Sequence, residues 1–141
     1  MSNEHRVKSR ELKLRCRRII KRTPDLADIL YADVKFVVLK SDAEKKKGSR
    51  TVFAECVKIP DKDRWAKPFD FEIVVYEQNC DYFTDEQMDI LLEHELRHIG
   101  IDFSDDEPTF FIYPHDIEEF AAIMEKYGLN WAHEGGDPAK T

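Results

Sequence analysis

The sequence predicts a single α+β domain, and three observations carry that expectation. The order of elements reads helix, three strands, helix, helix; the strand segments are rich in β-branched and aromatic residues; and strong start and stop signals bound the later helices. A chain of 141 residues can bury one core but leaves little for a second. The expected organisation is a folded domain over 1–131 and a loose tail over 132–141.

Residues Ser9 to Arg22 read as the first helix, because Leu12, Cys16, Ile19 and Ile20 recur at helical spacing while Arg and Lys fill the other faces. Thr23 suits an N-cap and Pro24 the first helical position, so Asp25 to Tyr31 is expected as a short second helix or a kinked continuation. Val34 to Leu39 and Thr51 to Ile59 read as two strands of a β-hairpin whose solvated loop holds Lys45, Lys46 and Lys47. A third strand, Phe69 to Tyr76, alternates in a way that predicts one buried face. Thr84 followed by Gln87 is a capping-box pattern opening a helix that is expected to run to about Ile99 and stop at Gly100. The stretch 101–114 reads as a connection with one short strand near Thr109 to Tyr113. A final helix is expected from about His115 to Tyr127, closed by Gly128.

Composition narrows the function classes. The formal charge is −7, yet residues 1–22 hold nine Lys or Arg against two Glu, a local +7, so the remainder carries −14. A body this acidic repels phosphates, which leaves only the basic first helix as a nucleic-acid contact. The apolar residues in that helix point instead to core packing. Three cysteines without paired close spacing predict reduced thiols and a cytoplasmic location; no signal-peptide pattern and no membrane-spanning apolar run is read.

The segment His94-Glu95-Leu96-Arg97-His98 carries the chemistry. Residues four apart on a helix lie one turn above each other, so two imidazoles can converge on one cation at a Zn–N distance of about 2.0–2.1 Å. Glu95 between them is placed to act as general base toward a water that zinc has acidified. Five His and fourteen Glu in this chain give an expected number of chance matches of about 0.02. A catalytic zinc usually takes three protein ligands, so a third is required. The metzincin pattern is excluded, because Ile101 and Ser104 stand where it needs Gly and His. His115, Asp116, Glu118 and Glu119 remain as candidates, and the acids are equally explained as favourable charge at a helix N-terminus.

Three passages in order resemble the phage metallopeptidases, a zincin-like family: Phe71-Glu72-Ile73-Val74-Val75, His94-Glu95-Leu96-Arg97-His98-Ile99, and His115-Asp116-Ile117-Glu118-Glu119-Phe120 leading to Tyr127-Gly128 and Trp131. The resemblance covers about residues 5–131. It implies a minimal zincin-like domain with a three- to four-stranded sheet between an N-terminal, an active-site and a C-terminal helix. It also implies zinc held by His94, His98 and His115, with hydrolase chemistry on a peptide or protein substrate. Arg97 departs from the small or apolar residues more usual there and is placed away from the ligand face. In zincins the strand before the active helix often offers the edge for an extended peptide, which assigns that role here to Phe69 to Tyr76. Two other readings stand beside a metallopeptidase: a non-catalytic zinc-containing protein-binding module, and a DNA-associated SprT-like protease docking through Arg6 to Arg22. No membrane partner is expected.

Overall fold

The computed structural model describes residues 4–114. The expected C-terminal helix and tail, with His115, Asp116, Glu118 and Glu119, lie outside the described residues. Within them the architecture is α+β: three α-helices, a mixed four-stranded sheet and two small hairpins.

The first strand, β1 (Arg6–Lys8), precedes helix α1 (Arg10–Arg22), whose start is fixed by the Ser9 hydroxyl accepting from the Leu12 N–H at 3.2 Å. The four apolar residues anticipated for α1, Leu12, Cys16, Ile19 and Ile20, are all buried in the main core. Pro24–Leu26 forms a 3₁₀ turn rather than the start of an α-helix, and α2 is only Ala27–Tyr31. Thr23 contributes its carbonyl to the Leu26 N–H, at 2.9 Å, and makes no side-chain cap.

The strands that follow are β2 (Phe36–Ser41), the two-residue strands β3 (Lys46–Lys47) and β4 (Arg50–Thr51), then β5 (Ala54–Lys58) and β6 (Phe71–Tyr76). The sheet order is β1-β2-β6-β5, with β6 parallel to β2 and antiparallel to β5. The expected hairpin between β2 and β5 therefore does not exist. Its lysine-rich loop is instead folded into the β3–β4 hairpin, turned by Gly48 at φ +65°.

All six residues of β6 are buried, against the expectation of a single buried face. An interior strand loses both faces and both edges to the protein, and the sequence Phe-Glu-Ile-Val-Val-Tyr tolerates this because its one charge is answered. Glu72 is faced by Arg6 at 3.6 Å and Lys67 at 3.7 Å. At the entry to the strand, Asp70 accepts from the Lys35 N–H and pairs with Arg64, both at 2.8 Å.

Helix α3 (Asp85–Leu96) has the capping box anticipated from Thr84 and Gln87, and it is buried from Ile90 to its end. Arg15 ties α1 to α3 through Asp85 at 2.8 Å and Asp89 at 3.1 Å. The helix does not reach Ile99. Residues Ile99–Asp102 form β7, which pairs with β8 (Thr109–Ile112) in a hairpin. Gly100 is consequently a strand residue, not a helix stop. It pairs with Phe111, whose ring passes 2.5 Å from where a β-carbon would stand, so a larger residue here would have to displace that ring.

Cys16, Cys56 and Cys80 are all free thiols. Burial pushes the Cys16 and Cys80 thiols up to about 12, which keeps them protonated as small core residues. Among the described residues, no helix is long and apolar enough to cross a membrane.

Because α1 supplies one wall of the core, Ile19→Ala should destabilise the protein by about 2–5 kcal/mol, and removing residues 1–22 should produce early melting or aggregation. Chemical denaturation of both proteins checks this. A truncated chain as stable as the full one would mean that α1 is an appendage.

Candidate metal centre

The last turn of α3, the tight turn that follows it and one hairpin assemble the site. His94 and Glu95 lie in the last turn of α3, where they are 7% and 4% exposed. His98 lies beyond the helix. The backbone tightens at this end, with the Arg97 N–H bonded to the Glu93 carbonyl and the His98 N–H to the Glu95 carbonyl, both at 3.1 Å. An i to i−3 bond is the 3₁₀ geometry common at helix ends, and here it keeps His98 over His94 after the α-helix has stopped. The two rings stand 5.2 Å apart, centre to centre, inclined at 68°.

The ligand atoms of His94, Glu95 and His98 all lie within 4.8 Å of one another. His94 Nε2 is 4.0 Å from Glu95 Oε2. A tetrahedral zinc with bonds of about 2.0–2.1 Å sets its ligands roughly 3.3 Å apart, so small torsional adjustments would bring the two imidazoles onto one ion with the Glu95 carboxylate beside it.

The orientation of His98 supports that fit independently. Its Nδ1 lies 2.6 Å from the Tyr113 carbonyl oxygen, which only accepts, so Nδ1 carries the proton and donates. Whenever the ring is neutral its lone pair is then on Nε2, the tautomer a metal ligand needs, and a carbonyl partner of this kind is the usual support of metal-binding imidazoles. The same Tyr113 donates its N–H to the His98 carbonyl at 2.8 Å, continuing the β7–β8 ladder by one pair. The hairpin thus returns the chain to the imidazole it left.

Arg97 braces the turn between the two histidines. Its guanidinium donates to Glu93 Oε2 from Nη2 at 2.8 Å and from Nε at 3.2 Å, and it reaches Asp25 at 3.4 Å. Glu93 is 1% exposed, so this charge is held in the protein by its pairing with Arg97. The residue that departs from the usual pattern in the motif is therefore a clamp between the 3₁₀ turn at Asp25 and the end of α3. A pairing of Glu93 with Arg97 was readable from their i, i+4 spacing. The part played by Asp25, 72 residues away, was not.

Strand β5 packs against α3. Burial raises the Cys56 thiol well above its ordinary range, and the nearby Glu95 carboxylate raises it further. Of the residues named from sequence, the structure brings together His94, Glu95 and His98; His115 and its competitors fall beyond the described residues. Tyr113 serves through its backbone, while its ring packs on Phe111 at 4.8 Å.

The model of the putative phage metallopeptidase family matches residues 4–137. The chain belongs to this family. Its two histidines, its glutamate and the hairpin that orients His98 all fall inside the matched span, and together they give this phage metallopeptidase family member a cluster able to bind a metal ion. No curated protein and no solved structure matches the chain.

Replacing Arg97 by Met removes the cation that the buried Glu93 faces, so we expect a loss of about 3 kcal/mol in stability together with weaker metal binding. The double replacement Glu93→Leu with Arg97→Met should recover part of the stability. Thermal melts and metal titration of the three proteins measure both effects, and an Arg97→Met protein unchanged in each would refute the clamp.

Proposed function

We propose that the protein is a zinc-dependent peptidase of the zincin type, with His94, His98 and His115 as metal ligands and Glu95 as general base. The observation that carries this reading is the convergence of His94, Glu95 and His98, with the Nδ1 of His98 committed to the Tyr113 carbonyl. A chance pair of surface histidines has no reason to bury His94 beside a carboxylate while holding His98 Nδ1 on a backbone carbonyl. When bound, zinc would supply a Lewis acid for the scissile carbonyl and lower the pKa of water toward neutrality.

The chain's own residues do the rest. Glu95 takes the proton from the attacking water and returns it to the leaving nitrogen, so one carboxylate serves as base and then as acid. Burial of Glu95 excludes bulk water from that exchange. His98 is held against rotation by the β7–β8 hairpin, and the Arg97 clamp fixes the turn that spaces it from His94.

The peptide-binding edge must be reassigned. β6, the strand preceding the active helix, is paired on both sides and offers no edge. Of the two outer strands of the sheet, β1 and β5, it is β5 that packs against α3, so it is the strand on which an extended substrate would lie.

His115 is supported as the third ligand by chain continuity. Tyr113 is hydrogen-bonded to His98, and only Pro114 separates it from residue 115. Three neutral imidazoles would leave the full charge of the ion to act on water, whereas a carboxylate in the third place would cancel part of it.

Glu95→Gln should retain metal at near wild-type occupancy while hydrolysis of a fluorogenic peptide pool falls by at least about 100-fold. Equal activity in wild type and variant would place the base elsewhere. For the third ligand, zinc titration should show severe loss of affinity in His115→Ala and little change in Glu118→Ala or Glu119→Ala. The reverse pattern would replace the three-histidine site by a carboxylate-ligated one.

A further inference from the structure

Helix α1 carries a second feature that core packing does not explain. Its buried residues, Leu12, Cys16, Ile19 and Ile20, occupy one side. On the flank facing α3, Arg15 is bound to Asp85 and Asp89, and Arg22 reaches Asp89 at 3.7 Å. The opposite crest holds Arg10, Leu14, Arg17, Arg18 and Lys21, all exposed. Among the described residues, none of its four cations makes an ion pair or a side-chain hydrogen bond.

That crest is arranged against helix stability. Arg17 and Lys21 are a like-charge pair at i, i+4 within the crest, and Arg17 with Lys13 and Arg18 with Arg22 extend such pairs onto the two flanks, each of which disfavours the helix. Arg10 adds a positive charge at the positive end of the helix dipole. Glu11, the one acid of α1, stands at the border of the crest and faces Arg15 at 3.8 Å, so no acid stands among the crest residues themselves. Conflict of this kind between local preference and fold is the signature of a surface kept for a ligand, and the ligand that relieves it is a polyanion.

We propose that the α1 crest, Arg10, Arg17, Arg18 and Lys21 around Leu14, docks on the phosphate backbone of nucleic acid. Eleven residues of rise from Arg10 to Lys21 span roughly 16 Å, a length over which one strand of a duplex presents about five phosphates. A membrane surface fits less well. An interfacial helix inserts its apolar face into lipid, and the apolar face of α1 is committed to the core, leaving only Leu14, 44% exposed, on the crest. Core packing and phosphate contact therefore use opposite sides of one helix. This surface is independent of the hydrolase reading, since none of its residues belongs to the metal cluster.

The test uses the full chain and a fluorescently labelled 30-base-pair DNA duplex, with anisotropy titrations between 50 and 200 mM salt. Binding should weaken with salt at a log–log slope near −3.6, as about four neutralised phosphates require. Replacing Arg10, Arg17, Arg18 and Lys21 together by Gln should weaken binding at least tenfold at 50 mM salt, without lowering the melting temperature or the metal content. A control replacing Lys45, Lys46 and Lys47 by Gln should bind within about twofold of wild type. Undiminished binding by the crest variant would overturn the proposal, as would an equal loss in the hairpin control. Tighter binding to vesicles containing phosphatidylserine than to the duplex would overturn it too.

Discussion

Burying the polar end of α3 is the constraint on which the rest of the structure depends. From Glu93 to His98 the chain places two carboxylates, two imidazoles and a guanidinium within six residues, and the first three of these side chains are almost wholly withdrawn from solvent. Desolvating charge is costly unless each group is answered. Glu93 is answered by Arg97, and Arg97 in turn by Asp25. His94, Glu95 and His98 converge where a cation would answer them together. The site and its support are thus one electrostatic problem solved at the end of a single helix.

The surrounding fold supplies what that solution needs. The interior position of β6 gives α3 a rigid apolar floor, since Phe71, Ile73 and Val75 meet Ile90, Leu91, Leu92 and Leu96 in one core. The β7–β8 hairpin then reverses the chain within a few residues of the helix end and brings the Tyr113 backbone to His98. A flexible loop over 101–114 could have spanned the same distance but could not have fixed a tautomer. Helix α1 completes the layer, bound to α3 by Arg15 at the start and, through the turn that follows it, by Asp25 at the end. It uses its buried side for the core, one flank for α3, and leaves the crest to solvent.

Much of this was legible in order of local strength. Helices α1 and α3 were readable because their signals are short-range: apolar spacing for one and a capping box for the other. The end of α3 was misread because Gly100 after an apolar stretch looks like a helix stop. Its actual reason, the ring of Phe111 across a strand pair, depends on a partner eleven residues away. The hairpin between β2 and β5 was misread for the same reason at longer range. Two β-rich segments with a polar loop between them predict a hairpin, and nothing local reveals that β6 inserts between them.

Sequence by itself determined helices α1 and α3 and the strand character of β2, β5 and β6, the residues of α1 that enter the core, and the histidine and glutamate spacing that places a candidate metal cluster at the end of α3. These depend on periods of a few residues, which the order of side chains states directly. Tertiary structure alone decided that β6 is central and β5 the edge, that His98 lies beyond its helix and is steered by the Tyr113 carbonyl, and that Arg97 reaches Asp25. Each of these rests on groups far apart in the chain or on backbone atoms common to every residue, and neither leaves a mark in local composition.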